Sequence, residues 1–161
     1  MKVVGIDPGT NRIGYALLAG DAHALSLIRA ETIEIPPKTE RIQRLMRLAK
    51  AIDECLRRDR PDVVAIEELF FTRNAKTALL VAEARGVILL TASKHVRSIW
   101  EYTPLEVKHI VTGHGAATKD ALERMVRLTF PGAKLPSGDD AVDAIAIALA
   151  AIYRKDPRVG I

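Results

Sequence analysis

The chain has 161 residues, of which 48% are hydrophobic and 27% charged, so it is long enough to bury a core and too apolar to be intrinsically disordered. Its net charge of +4 favours a polyanionic partner such as nucleic acid, although ordinary solubility explains a modest charge equally well. We find neither a membrane-spanning stretch nor a signal peptide, and we therefore expect a cytoplasmic protein in which the single cysteine, Cys55, is reduced.

The first part of the chain has the pattern of three short strands separated by turns. We predict strands over Val3–Asp7, Gly14–Leu18 and Leu25–Ile35, and Gly20-Asp21 marks a hairpin turn between the last two. Pro36-Pro37 ends this meander. The order indicates an antiparallel start to a sheet.

Strands and helices alternate in the rest of the chain. We predict helices over Thr39–Arg58, with Thr39 as N-cap, and over Asn74–Ser93, Pro104–Thr112, Thr118–Thr129 and 139–153, with strands over Val63–Glu67 and His95–Trp100. Parallel strands joined through helices, added to an antiparallel meander, predict an α/β fold with a five-stranded mixed sheet flanked by helices. We expect one domain over residues 1–155 and a short frayed tail over 156–161.

Two of the predicted strands end in a carboxylate. Asp7 closes the first and Glu67 closes the fourth, and a carboxylate at the end of a buried strand is costly unless it is paired or binds a metal. We choose Glu67 over Glu68 by its position, since neighbouring residues of a strand point to opposite faces. Clustered carboxylates are the oxygen ligands that hard divalent cations prefer.

Two further acids begin the last helix, where Asp140 and Asp143 share one face at i, i+3 spacing. A capping box with Ser137 as N-cap explains Asp139 and Asp140 without any function. It does not explain Asp143, because the seven residues that follow Asp143 are all apolar and such a helix is buried. We therefore expect a ligand role for Asp143 and Asp140, and a solvent-facing Asp139.

The turn Asp7-Pro8-Gly9-Thr10 allows two other interpretations. It is an ordinary turn after a strand, or it resembles the phosphate loop of actin-like ATPases. Those proteins have two such domains, and this chain is too short for both.

Several motifs follow one another in a particular order and spacing. They are Gly5-Ile6-Asp7-Pro8-Gly9, Ala65-Ile66-Glu67-Glu68-Leu69-Phe70-Phe71, Val107-Lys108, Gly113-His114-Gly115-Ala116-Ala117-Thr118-Lys119 and the run from Asp140 to Ala148. Together they resemble the bacterial RuvC family of Holliday junction resolvases over nearly the whole chain.

The resemblance implies a ribonuclease-H-like fold, a homodimer, and Mg²⁺ or Mn²⁺ as cofactor, with two ions per subunit typical of such sites. The substrate is then a four-way DNA junction in homologous recombination and repair, nicked symmetrically to give 5′-phosphate ends, and the partners are the branch-migration proteins RuvA and RuvB. The family's four acids match Asp7, Glu67, Asp140 and Asp143. The alternatives are a related ribonuclease-H-like nuclease that acts on RNA–DNA hybrid or another branched nucleic acid, and a non-catalytic junction-binding module.

Basic and aromatic residues near these motifs are candidate DNA contacts. The resemblance makes Lys108 and Lys119 basic residues of the catalytic site, although most lysines are simply solvated, and a lysine can hold a phosphate oxygen. It makes Phe70 a residue that contacts junction bases, with core packing as the alternative. Arg73, Asn74 and Lys76 lie at a predicted helix start, where phosphate contacts are easy.

Small residues recur along the second predicted helix. Ala78, Leu79, Ala82 and Gly86 either pack on the sheet of their own chain or, as the resemblance implies, form the dimer interface. The four histidines lack zinc-ligand spacing, so we expect no zinc, and His114 is assigned to a loop.

Overall fold

The structure, a computed structural model, describes residues 1–68, 75–136 and 138–154, with the backbone alone for 75–77. These residues form five strands and five helices. The strands are β1 Lys2–Asp7, β2 Arg12–Gly20, β3 Leu25–Glu34, β4 Val63–Glu67 and β5 Ser98–Tyr102. The helices are α1 Arg41–Asp59, α2 Ala75–Ala92, α3 Pro104–Thr112, α4 Lys119–Thr129 and α5 Asp139–Tyr153.

The five strands form one mixed sheet in the order β3-β2-β1-β4-β5. Strand β1 pairs antiparallel with β2, which pairs antiparallel with β3, and β1 and β5 both run parallel to β4. This confirms the predicted meander with parallel additions. It also places β1 and β4 side by side at the centre, with their carboxyl ends at the same edge.

Helices cover both faces of the sheet, and each face has its own hydrophobic core. Along β1, Val3 points into the core beneath α3, α4 and α5, whereas Val4 and Ile6 point into the core beneath α1 and α2. Successive residues of a strand point to opposite faces, so a strand that is buried on both sides has a continuous apolar sequence. That is why the run before Asp7 is apolar throughout.

Helix α5 lies directly against the sheet because two strand glycines leave room for its backbone. A Cβ on Gly5 would lie 2.7 Å from the amide nitrogen of Ala148, and a Cβ on Gly14 would lie 2.6 Å from the carbonyl carbon of Asp140. Both distances are shorter than any normal contact. The two glycines therefore fix the first turns of α5 next to the carboxyl end of β1.

Several predicted boundaries were wrong, and the second strand is longer than predicted, Arg12–Gly20 rather than 14–18. The fifth strand covers Ser98–Tyr102 rather than 95–100, because His95 and Val96 donate backbone hydrogen bonds to Ala92 at the end of α2. Glu40, not Thr39, is the N-cap of α1, and its carboxylate accepts hydrogen bonds from the amides of residues 42 and 43.

The N-cap of α5 is Gly138, which makes no side-chain capping bond. The N-cap predicted at Ser137 is therefore one position too early. Ser137 itself lies outside the described residues, as do the predicted start of the second helix at Asn74 and the tail over 156–161. No helix in the described part of the chain has the length and apolar character needed to cross a membrane.

Candidate active site

The two strand-end carboxylates lie side by side. Ile6 of β1 is paired with Ile66 of the parallel strand β4, so Asp7 and Glu67 follow at the same edge of the sheet. Both side chains are partly buried, whereas the neighbouring Glu68 is exposed. The structure thus brings Asp7 and Glu67 together and leaves Glu68 on the surface, as the sequence predicted.

The first two turns of α5 bring two more carboxylates to this edge. Gly14, against which the backbone of Asp140 packs, is the β2 partner of Asp7. Asp140 and Asp143 are each partly buried, while Asp139 is exposed to solvent. Asp140 and Asp143 therefore lie on the sheet side of the helix, with Asp7 next to them.

The acids act on one another electrostatically. The pKa of Asp7 is raised from 3.8 to about 7, mainly by burial and then by the negative charges of Asp143 and Asp140. The pKa of Glu67 is likewise raised from 4.5 to about 7, mainly by burial and then by repulsion from Asp7 and Asp143. Burial also raises the pKa of Asp143. Raised values in a group of acids mean that either protons or a cation must relieve the repulsion.

Two basic side chains hold the acids of α5. The ammonium of Lys119, the first residue of α4, lies 3.1 Å from a carboxylate oxygen of Asp143 and 3.3 Å from one of Asp139. Arg12, the first residue of β2, donates from Nε to Oδ2 of Asp140 over 2.8 Å. Each acid of the first two turns thus has a basic neighbour.

A cleft of about 160 Å³ opens between Glu67 and α5. Its polar lining consists of Glu67, Asp143, Lys108 and Lys119, and its apolar lining comes from α3, α4 and α5. Lys108 is held on α3, which begins with a capping box between Thr103 and Glu106. The positive charges of the two lysines partly offset the rise in the pKa of Glu67, so the lysines act electrostatically on the carboxylates.

The donor set suits a hard divalent cation, because all four candidate ligands are carboxylates. Among the described residues, however, no three acids, histidines or cysteines are close enough to form a ready-made cation cluster. Lys119 and Arg12 account for part of this, since each occupies an oxygen of an α5 acid. The four carboxylates fit a cation that would displace the ion pairs made by Lys119 and Arg12.

Two functional contacts were not predicted. Arg12 was not singled out, because its pairing with Asp140 depends on how α5 lies across β2. Arg85 of α2 was also missed; its Nε donates to the backbone carbonyl of Glu67 over 3.1 Å, and it forms an ion pair with Glu101 on β5. The sequence offered one signal for it, since Arg85 is a charged residue followed by the apolar run Val87–Leu90 and is half-buried in the structure.

The remaining predicted contacts are only partly described. Phe70, Arg73 and Asn74 lie outside the described residues, and of Lys76 the backbone alone is described, in the first turn of α2. In the dimer prediction, Leu79 is 61% exposed and a Cβ on Gly86 would meet nothing within 4 Å, while Ala78 and Ala82 are partly exposed. Leu79 and Gly86 of this stripe are therefore not covered by the described part of the chain.

Comparison with known proteins identifies close relatives. The family model described as "Crossover junction endodeoxyribonuclease RuvC" matches residues 3–151. The crossover junction endodeoxyribonuclease RuvC of Syntrophomonas wolfei is 42% identical over 153 residues, which cover 95% of this chain and 89% of the relative. That of Alkaliphilus oremlandii is 40% identical over 149 residues, covering 92% and 91%.

Solved structures agree with this. RuvC of Thermus thermophilus in complex with Holliday junction substrate matches with a TM-score of 0.87 at 35% identity, covering 95% of this chain and 94% of that one. The yeast mitochondrial Holliday junction resolvase Ydc2 matches with a TM-score of 0.68 at 13% identity, covering 94% and 77%, which supports the fold alone. The fold is ribonuclease-H-like.

Proposed function

The chain belongs to the RuvC family of crossover junction endodeoxyribonucleases, and from this we infer that it is a metal-dependent nuclease that resolves four-way DNA junctions. We propose that Asp7, Glu67, Asp140 and Asp143 are its catalytic carboxylates. One observation carries the assignment: acids that are far apart in the sequence meet at one sheet edge, where burial and mutual repulsion raise the pKa values of Asp7 and Glu67 to about 7.

These four carboxylates would hold Mg²⁺ or Mn²⁺, with two ions per subunit. Bound there, such ions supply charge neutralisation and activate water for attack on phosphorus. The contribution of the protein is to hold the ligands in a partly buried cleft. Oxygen-only ligands and a net negative charge disfavour softer metals that prefer nitrogen and sulfur.

The basic residues of the cleft are suited to hold the scissile phosphate. Lys108 and Lys119 line the same cleft as Glu67 and Asp143, so a phosphate placed against the acids would lie next to both ammonium groups. An ammonium can stabilise the negative charge that develops on the phosphoryl oxygens. The reaction breaks the bond between phosphorus and the 3′ oxygen, and water supplies the oxygen of the new 5′-phosphate.

The enzyme works as a homodimer in this proposal, with Ala78, Leu79, Ala82 and Gly86 in the interface. The support is the uncovered stripe of α2, where Leu79 and Leu90 are 61% and 65% exposed. A two-fold axis presents two equal sites to strands of like polarity in a junction, and paired nicks resolve it into duplexes.

Further contacts complete the proposal. Phe70 stacks on junction bases, and Arg73, Asn74 and Lys76 contact phosphates near the start of α2. The nuclease domain spans 1–155 and is followed by the short tail over 156–161. RuvA and RuvB are the expected branch-migration partners, and the cytoplasm is the expected location.

The test is cleavage of an end-labelled synthetic four-way junction with Mg²⁺, with Mn²⁺ and with chelator, mapping the nicks on all four strands. We expect symmetric nicks on two strands of like polarity and none with chelator. Plain duplex and RNA–DNA hybrid are the comparison substrates. Cleavage of the hybrid alone would replace the proposal by a ribonuclease activity, and junction binding without any cleavage would leave only a binding module.

A further inference from the structure

Arg12 lies at the mouth of the candidate active site with its guanidinium on an acid that the metal needs. Its Nε donates to Oδ2 of Asp140 over 2.8 Å, and its NH1 lies 3.7 Å from a carboxylate oxygen of Glu34 on β3. The exposed Asp139 adds a third negative charge nearby. Arg12 is thus held by acidic neighbours.

The contact with Arg12 and a bound cation draw on the negative charge of the same carboxylate, that of Asp140. A divalent ion that takes Oδ2 of Asp140 both removes the acceptor of Arg12 and adds positive charge next to its guanidinium. The side chain of Arg12 is 54% exposed, whereas that of Asp140 is 27% exposed, so the arginine is the partner that is free to turn outward.

A guanidinium released from Asp140 would still lie beside the candidate acids, where it can meet a phosphate of bound DNA. Arginine has five N–H donors in a planar fork that matches two phosphate oxygens, and it stays charged at any pH of interest. Arg12 also lines an open groove with Asn11, Glu34 and the Pro36-Pro37 turn, which has room for a DNA backbone beside the acids.

We propose that Arg12 binds a phosphate of the junction only when the metal is bound, because the metal releases it from Asp140. The inference rests on the proposed function, since it takes junction DNA and a divalent ion as the ligands. Arg12 then couples metal binding to DNA binding. Without metal its charge neutralises the carboxylate of Asp140, and with metal its charge neutralises a phosphate of the junction.

The test is the salt dependence of junction binding, which counts phosphate contacts. Affinity of a synthetic four-way junction is measured between 50 and 200 mM salt, once with chelator and once with Ca²⁺, for the wild type and Arg12→Gln. With Ca²⁺, we expect the variant to lose about 0.9 from the slope of log K against log salt, the value for one phosphate contact. With chelator, we expect equal slopes for the two proteins.

Arg57→Gln is the matched control. Arg57 is also an exposed arginine held by an acid, Asp53, but it lies near the end of α1 that leads to the amino end of β4, at the sheet edge opposite to the acids. Its slope should equal that of the wild type in both buffers. In an Asp140→Asn background, where Arg12 has lost its nearest charged acceptor, Arg12→Gln should lower the slope even with chelator.

Equal slopes for wild type and Arg12→Gln with Ca²⁺ overturn the inference, and so does an equal loss in both buffers, which would mean a permanent contact. A Mn²⁺ titration without DNA gives an independent result: Arg12→Gln should bind Mn²⁺ several-fold more tightly, and unchanged or weaker binding contradicts the competition. Junction cleavage by the wild type with Mg²⁺ is followed in parallel. If the wild type does not cleave, the proposed function has failed; if it cleaves and the slopes do not differ, only this inference has failed.

Discussion

At the scale of single residues, the candidate site depends on acids kept in an unfavourable environment. The pKa of Asp7 is about 7 in the folded chain against an ordinary 3.8, so the folded state holds the proton more tightly than the unfolded state does. The resulting stabilisation is complete below the unfolded pKa and is lost as the pH rises through about 7. Glu67, whose pKa is also raised, changes the stability with pH in the same direction. Without metal, the protein therefore becomes less stable at the pH values at which these carboxylates are ionised and able to bind a cation.

The substitution Asp7→Asn tests this directly, because an amide cannot ionise. At pH 8 without metal, we expect the variant to be more stable than the wild type by about 1–3 kcal/mol, a discounted value for a shift of this size. Differential scanning calorimetry should show a higher Tm at pH 8 and a much smaller gain at pH 5. A variant no more stable than the wild type at pH 8 would contradict the electrostatic account.

The neighbouring pair Glu67 and Glu68 offers a test within two adjacent positions. Glu67→Gln removes a candidate metal ligand, so junction cleavage should fall by more than about 100-fold, beyond the usual loss from an outer-shell partner. Glu68→Gln removes an equal charge from an exposed side chain and should leave cleavage within a few-fold of wild type. Single-turnover kinetics on a labelled junction measures both. Equal losses in the two variants would mean that charge, and not position, matters here.

These residue roles differ in how far the sequence could predict them. Asp7 and Glu67 are predictable because each ends an apolar run, where a carboxylate needs a partner. The pairing of Arg12 with Asp140 is not, since the two are 128 positions apart and meet only because α5 crosses β2. A contact of that kind depends on tertiary packing and leaves no local pattern.

At the scale of elements, the site depends on how closely α5 approaches the sheet. Gly14 packs against the backbone of Asp140, and Gly5 packs against Ala144 and Ala148 further along the helix. Both strands would tolerate a larger residue by propensity, so close approach is the reason for glycine here. The sequence predicted α5 and both strands but not this contact, because nothing local specifies which helix covers which strand.

Gly14→Ala should therefore affect stability and activity together. The added Cβ would clash with the backbone of Asp140, and overpacking of this kind costs about 1–3 kcal/mol. We expect a lower Tm by calorimetry and a loss of junction cleavage at temperatures where the variant is still folded. Gly5→Ala is the matched control: its clash lies at Ala144 and Ala148, so it should lower the Tm with less loss of cleavage. A Gly14→Ala variant with wild-type Tm and activity would contradict the close packing.

Boundaries of elements were predicted less well than their existence. The strand β5 begins three residues later than predicted because its extent follows its partner, with Ser98 paired to Val63 and Tyr102 paired to Glu67. The prediction from the sequence began the strand too early, at residues that bond to the end of α2. Which residues of two strands pair depends on the topology of the whole sheet, and no local stretch of sequence specifies it.

At the scale of the whole molecule, the proposed dimer is supported by an apolar stripe on α2 that the described residues leave uncovered. Leu79 and Leu90 are exposed on α2, and Ile42 and Met46 are 56% and 61% exposed on α1, the helix that packs beside it. An apolar surface of this kind is typical of an interface between subunits. In the proposed dimer it would keep the two sites at a fixed separation on one junction.

The double substitution Leu79→Glu and Leu90→Glu tests the assembly. We expect a folded monomer, because both side chains lie outside the core, and we expect the paired nicks on a junction to become rare. Analytical ultracentrifugation measures whether the protein is a monomer or a dimer, and a supercoiled cruciform plasmid separates paired from single nicks. Leu128→Glu on α4, where Leu128 is 67% exposed, is the control and should leave both unchanged. A double variant that stays dimeric would place the interface elsewhere.

The most direct test of the whole account is a crystal of the wild-type protein soaked in Mn²⁺ and measured for anomalous scattering. We predict manganese at the shared sheet edge, with carboxylate oxygens of Asp7 and Glu67 and of at least one of Asp140 and Asp143 within about 2.0–2.4 Å, the range for divalent ions with oxygen ligands. An anomalous map with no peak near these acids, or with its peak at another surface, would contradict the account.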